Sequence, residues 1–218
     1  MSLLQEAFDL FLPANCALCH RTPKVLCDEC LGQFQNRQRE LTRGSLHGWA
    51  LCDLDDPLSA VLSAFKESGR FAIADRLIHA LLDVASRDWL KVANADLLVP
   101  MPSTTKSFAK RGFSPAGLAA RRVAALTGMP VASQALRFNR ATLDQAGLDT
   151  AGRAANLAGA ISASRSLANR RVLIIDDIVT TGASVLEAAR AIEQVGGRPI
   201  GFFAIGETLL RIATPNQK

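Results

Sequence analysis

One fourteen-residue stretch, Arg171-Val-Leu-Ile-Ile-Asp-Asp-Ile-Val-Thr-Thr-Gly-Ala-Ser184, restricts the folds open to this chain more than any other. Its apolar run, Val172 to Ile175, reads as a buried strand, and helical spacing resumes from Ala183 to Val195 before Gly196-Gly197 ends it. Strands that alternate with helices in this way build a mostly parallel α/β sheet, whose ligands bind beyond the carboxyl ends of the strands. Asp176 and Asp177 stand at that end, and Thr180, Thr181, Gly182, Ala183 and Ser184 form a turn of small residues that opens the helix. Backbone N–H groups at a helix N-terminus, a glycine that permits close approach and several hydroxyls make a cradle for a phosphate monoester. Two carboxylates would repel a phosphate but accept hydrogen bonds from a sugar diol. A ribose 5-phosphate satisfies both halves.

Three other readings of this stretch fit less well. A Walker B strand also ends in acids, but the chain contains no Gly-x4-Gly-Lys-Ser/Thr. A phosphoacceptor receiver domain places its acidic pair after the first strand, not after some 175 residues. A plain helix-capping cluster explains the hydroxyls and leaves the adjacent carboxylates unexplained.

Four of the five cysteines, Cys16, Cys19, Cys27 and Cys30, form two Cys-x-x-Cys pairs seven residues apart. Two residues between sulfurs let both thiolates of a pair turn onto one tetrahedral ion, and four thiolates make the closed site of structural zinc. Disulfides are disfavoured in a cytoplasmic chain, and a redox pair needs no second copy. His20 is read as a bystander, and Cys52, in the apolar stretch Trp49-Ala-Leu-Cys52, as a core residue.

The 218 residues suffice for one large domain and a small appendage. An apolar helix from about Leu3 to Leu12 leads into the cysteine module, and the polar stretch Gln33 to Arg43 reads as a linker or exposed helix. The expected division is 1–45 for the N-terminal helix, zinc knuckle and linker, and 46–218 for the main domain. Helical spacing marks Leu58 to Phe65, Ala72 to Ala85 and Pro115 to Leu126; Leu97 to Val99 and Ile200 to Ile205 read as strands. Residues 101–171 hold eleven Lys and Arg against two acids, a local balance of +9 that points to an anionic ligand. No apolar run approaches the roughly 18 residues of a membrane span, and the N-terminus lacks the pattern of a secretory signal. The expected location is the cytoplasm, without membrane insertion.

The Asp-Asp stretch resembles the phosphoribosyl pyrophosphate (PRPP) motif of type I phosphoribosyltransferases. Together with the four-cysteine knuckle, the chain resembles the ComF family of competence-associated, phosphoribosyltransferase-like proteins. Further landmarks occur in family order: Phe65-Lys66-x-x-Gly69-Arg70, Val99-Pro-Met-Pro102, Lys110-Arg-Gly-Phe113, and Arg140-x-Thr142-x-x-Gln145-x-x-Leu148-x4-Arg153-x-x-Asn156. The implied fold is α/β, a type I phosphoribosyltransferase-like, Rossmann-like parallel sheet with a small N-terminal four-cysteine zinc module. By this resemblance Asp176 and Asp177 hold the ribose hydroxyls and residues 180–184 bind the 5-phosphate. Pro100, Met101 and Pro102 belong to a loop approaching the pyrophosphate, and Lys66, Arg70, Lys106, Arg111, Arg140 and Arg153 neutralise the diphosphate together with Mg²⁺. Arg140 and Arg153, with the acidic pair, are the catalytic candidates, and Arg140 to Asn156 reads as a mobile lid. Two functions are implied. One is phosphoribosyl transfer to an unidentified nitrogenous acceptor. The other is a non-catalytic accessory role in DNA uptake and natural transformation, with PRPP as a regulatory ligand and single-stranded DNA and other competence proteins as partners.

Overall fold

The computed structural model describes residues 15–22, 26–34, 37–54, 57, 59, 61, 62, 78, 79, 81, 82, 94–140, 150–163 and 167–208. The expected helix at Leu3 to Leu12, most of the two helices between residues 58 and 85, and the lid residues 141–149 lie outside them. Of those two helices, the described apolar residues Val61, Leu62, Ile78, Leu81 and Leu82 are helical and buried, as their spacing predicts.

In chain order the elements are α1 (Asp28–Gly32), β1 (Arg39–Arg43), β2 (Leu46–Asp53), β3 (Leu97–Pro100), α2 (Thr105–Arg111), α3 (Pro115–Thr127), β4 (Leu136–Phe138), α4 (Thr150–Leu157), β5 (Ile161–Ala163), β6 (Arg171–Val179), α5 (Ala183–Gln194) and β7 (Arg198–Glu207). Five strands form one sheet in the order β1-β2-β7-β6-β3, and β4 and β5 pair antiparallel by themselves. The main sheet is parallel except at its edge, where β1 runs antiparallel to β2.

Successive side chains of a strand point to opposite faces, and the two faces are covered by different helices. Leu98, Leu173, Ile175, Phe203 and Ile205 pack with Leu118, Ala119 and Val123 of α3, in a cluster that also takes in Cys16, Cys30 and Phe34. Val99, Val172, Ile174, Phe202 and Ala204 pack with Val185, Ala188 and Ile192 of α5. This two-sided burial explains why the central strands read as unbroken apolar runs. Helix α3 starts where expected because its ends are coded locally: the Ser114 hydroxyl accepts from Gly117 N–H at 3.2 Å, Pro115 follows, and Gly128 closes the last turn.

Two expectations are corrected. The stretch Gln33 to Arg43, read as a linker or exposed helix, ends in the strand β1, which pairs with β2. The strand before the phosphate turn does not stop at Ile175; it continues through both aspartates to Val179, paired with β7 as far as Glu207. No helix among the described residues is long and apolar enough to cross a membrane.

Candidate functional site

The last residues of β6 and the first turn of α5 set out the site. Asp176 is buried, 8% exposed, and Asp177 is half-buried. The N–H of Asp177 donates to Asp176 Oδ1 at 2.8 Å, which fixes the first carboxylate against the backbone of the second. Thr180 and Thr181 follow, half-buried, and Thr181 Oγ1 accepts from Ala183 N–H at 3.4 Å. The first helical hydrogen bond of α5 runs from Leu186 N–H to the Gly182 carbonyl at 2.9 Å. The amides of Ala183, Ser184 and Val185 therefore have no acceptor within the helix, as at any helix start. Carboxylates and amide donors stand on consecutive segments of one strand–turn–helix unit.

Gly182 caps this helix in the left-handed conformation, with φ of 85°. A Cβ built on it would stand 2.5, 2.6 and 2.9 Å from Cβ, Cγ and Cδ of Arg43. Gly182 reads in the sequence as a glycine that permits close approach; in the structure the space next to it is filled by the β1 arginine. Arg43 Nε donates to the Thr180 carbonyl at 2.8 Å and its Nη2 pairs with Glu207. No sequence signal pointed to this residue, which is 137 positions from Thr180 and 164 from Glu207.

The loop expected near the pyrophosphate lies beside the acidic pair. Pro100 ends β3 opposite Ile175, and Met101 N–H donates to the Ile175 carbonyl at 2.8 Å, one residue before Asp176. Pro100 and Met101 are buried and Pro102 half-buried. The Thr104 hydroxyl caps α2 by accepting from Ser107 N–H at 3.1 Å, and α2 carries Lys106, exposed, and Arg111, whose Nε donates to the Ser107 carbonyl at 3.3 Å.

Arg140 leaves β4 and donates from Nη2 to the carbonyls of Asn156 at 2.8 Å and Ala158 at 3.2 Å, closing the C-terminal end of α4. Residues 150–156 of the expected lid are thus helical, and the excursion starts and ends on the β4–β5 pair. That pair is tied to α5. Ile161 N–H donates to Glu187 Oε1 at 3.1 Å, and Arg190 donates both to the Ile161 carbonyl and to Glu187. Burial works against the Glu187 carboxylate, but the Arg190 guanidinium and the Ile161 amide hold it below the ordinary range. Arg153 lies on α4, while Lys66 and Arg70 lie outside the described residues.

The four cysteines converge as their spacing predicts. All four sulfurs lie within 4.8 Å of one another, with Cys19 and Cys27 3.6 Å apart, and His20 takes no part. Zinc–sulfur bonds of about 2.3 Å at tetrahedral angles place sulfurs about 3.8 Å apart, close to the spacing of this cluster. Cys16 and Cys30 are buried against Leu26, Phe34 and Trp49. Burial opposes the Cys16 thiolate, yet the backbone amides around it lower its pKa to about 6; burial and the neighbouring thiols push Cys30 up to about 12. One equivalent of zinc per chain is expected from elemental analysis of protein purified without chelator, and none from the quadruple Cys→Ser variant. A metal-free parent, or a fully loaded variant, would overturn the assignment.

Residues 107–207, from within α2 to the end of β7, match the phosphoribosyl transferase domain family. Across 89% of its length the chain is 27% identical to the DNA utilization protein YhgH of Salmonella typhimurium, covering 83% of it. Across 65% of its length it is 29% identical to Competence protein F of Haemophilus influenzae, covering 64% of that protein. The ComF resemblance and the phosphoribosyltransferase fold expected from the sequence both stand. An adenine phosphoribosyltransferase from Thermoanaerobacter pseudethanolicus superposes over 81% of this chain and 87% of its own, at 16% identity and a TM-score of 0.40.

Proposed function

We propose that this chain binds PRPP in the presence of Mg²⁺ at the end of β6 and acts in the cytoplasm as a phosphoribosyltransferase-like protein of DNA uptake or nucleotide-related metabolism. The observation that carries the reading is the succession of Asp176, Asp177 and the amides of Ser184 and Val185, which have no acceptor within the helix, along one strand–turn–helix unit. In it the carboxylates accept from the ribose hydroxyls, the α5 N-terminus holds the 5-phosphate, and the Pro100–Pro102 loop approaches the diphosphate. Mg²⁺, a hard cation that takes oxygen ligands, suits the Asp176 and Asp177 carboxylates and would neutralise charge on the diphosphate. Phosphoribosyl transfer breaks the bond from ribose C1 to pyrophosphate through a cation-like sugar, and an acceptor nitrogen takes its place. The chain's own contribution is to hold the sugar, receive charge on the leaving group through Lys66, Arg70, Lys106, Arg111 and Arg153, and exclude water. Calorimetry with PRPP and Mg²⁺ tests the site without knowledge of the acceptor; absence of binding would end this reading.

Arg153 and the turn should separate with two ligands. Arg153→Ala is expected to weaken PRPP about tenfold and to spare ribose 5-phosphate, which lacks the pyrophosphate. Equal losses for both ligands would place Arg153 in the scaffold. Arg140, engaged with the carbonyls of Asn156 and Ala158, would act by holding the lid segment together.

A second reading, a non-catalytic protein that binds single-stranded DNA and responds to PRPP, is favoured by α2. Phe108 is 51% exposed there, among Lys106, Lys110 and Arg111. Phe113 is buried and Phe138 half-buried, which withdraws two of the three aromatics that the middle of the chain offers for stacking. The names of the relatives, with their reference to DNA utilization and competence, support the same setting and other competence proteins as partners. Mg²⁺-dependent pyrophosphate release from PRPP with a base favours the enzyme, and salt-sensitive binding of an oligonucleotide favours the accessory protein.

A further inference from the structure

The turn between β6 and α5 has a support that neither its own residues nor their neighbours in sequence provide. Arg43, at the end of β1, donates from Nε to the Thr180 carbonyl at 2.8 Å and from Nη1 to the Thr42 carbonyl at 3.1 Å. Its Nη2 pairs with Glu207 at the end of β7, and the two side chains are only 12% and 8% exposed. The stem lies against Gly182 so closely that a Cβ there would fall 2.5 Å from Arg43 Cβ. Thr180 is therefore gripped through its carbonyl and Gly182 through its α-carbon, on either side of Thr181. In a trans peptide the carbonyl and the following N–H point in opposite directions. Holding the Thr180 carbonyl toward the guanidinium consequently aims the Thr181 N–H away from it.

We propose that Arg43, held by Glu207, is a positioning residue of the phosphate turn, fixing the Thr180–Thr181 peptide so that the Thr181 N–H faces the 5-phosphate. This rests on the reading of the turn as a phosphate site. The charge of Arg43 is matched by Glu207, so its effect is orientation of donors and not net attraction for an anion. Preorganised donors bind more tightly than donors that must be ordered by the ligand, because the ordering cost falls on folding instead of on binding.

The test uses the full chain, ribose 5-phosphate as ligand, and two readouts: affinity by calorimetry and the ligand-induced shift of the Thr181 amide by ¹⁵N NMR. Arg43→Met keeps an unbranched stem beside Gly182 and removes every side-chain donor; Arg43→Lys keeps the charge and a single ammonium group in place of the guanidinium fork. Arg43→Met is expected to bind about tenfold more weakly and to lose the Thr181 shift, with Arg43→Lys recovering part of both. Failure of the parent protein to bind ribose 5-phosphate would remove the phosphate reading itself. A parent that binds, with Arg43→Met binding equally well, would overturn the positioning role alone. No recovery in Arg43→Lys, with both variants melting lower, would mean simple packing and also overturn it. Should Arg43→Met fail to fold, Glu207→Gln decides: about threefold weaker binding is expected, and unchanged affinity overturns the proposal.

Discussion

Replacing Asp176 and Asp177 together by Asn is expected to lower PRPP affinity about 100-fold or more while leaving the fold in place. Each charged hydrogen bond lost to the ribose hydroxyls costs roughly 1.5 to 3 kcal/mol, and 1.4 kcal/mol is a factor of ten. Asp176 is not a surface group: it is 8% exposed and its Oδ1 accepts from the Asp177 N–H. Truncation to Ala would strand that amide, whereas the Asn side-chain oxygen retains the acceptor and the shape. The Asn pair therefore removes charge and little else. Circular dichroism and melting temperature near those of the parent, with PRPP affinity measured by calorimetry, form the test. Unchanged affinity would refute the assignment of these carboxylates to the ribose.

What the sequence disclosed of this protein follows from how local each signal is. The β6–turn–α5 unit was legible because strand, acids, turn and helix are contiguous. The sulfur cluster was legible because its ligands come in pairs on two short segments. Helix α3 was placed almost to the residue because Ser114, Pro115 and Gly128 mark its ends. Strand β1 was not legible. It is an edge strand that buries only Leu41, and Arg39, Glu40 and Arg43 make it read as a solvated linker. Strands β4 and β5, with three residues each, carry too few side chains to show a period. The two aspartates were read as lying past the strand because charge normally ends a buried run. Here β6 continues through them, and pairing with β7 to Glu207 keeps the backbone extended where the side chains have turned polar. Arg43 was out of reach for another reason: its partners meet it only once β1 and the turn are brought together by the topology.

Gly182→Val is expected to abolish binding of both PRPP and ribose 5-phosphate and to lower the melting temperature, the largest effect of any single substitution in the turn. Two causes combine. With φ of 85°, residue 182 occupies a conformation that costs a residue with a side chain roughly 1 to 2 kcal/mol, and more for a β-branched one. The added Cβ would also meet Arg43 Cβ at 2.5 Å and Cγ at 2.6 Å. Because one of the two atoms is itself a Cβ, no rotation of the Arg43 side chain relieves the contact, so the backbone of the turn or of β1 has to move. Either movement displaces the Thr180 carbonyl from Arg43 Nε and tilts the start of α5, whose amides are the proposed phosphate donors. The phosphate site is thus lost by displacement of its donors and not by a side chain filling it. Gly182→Ala, which shares the contact and most of the strain, should therefore fail almost as completely, whereas a mechanism of simple obstruction would leave Ala much less damaging than Val. Binding of ribose 5-phosphate at parental affinity by Gly182→Val, measured calorimetrically, would show that the anion does not sit at this turn.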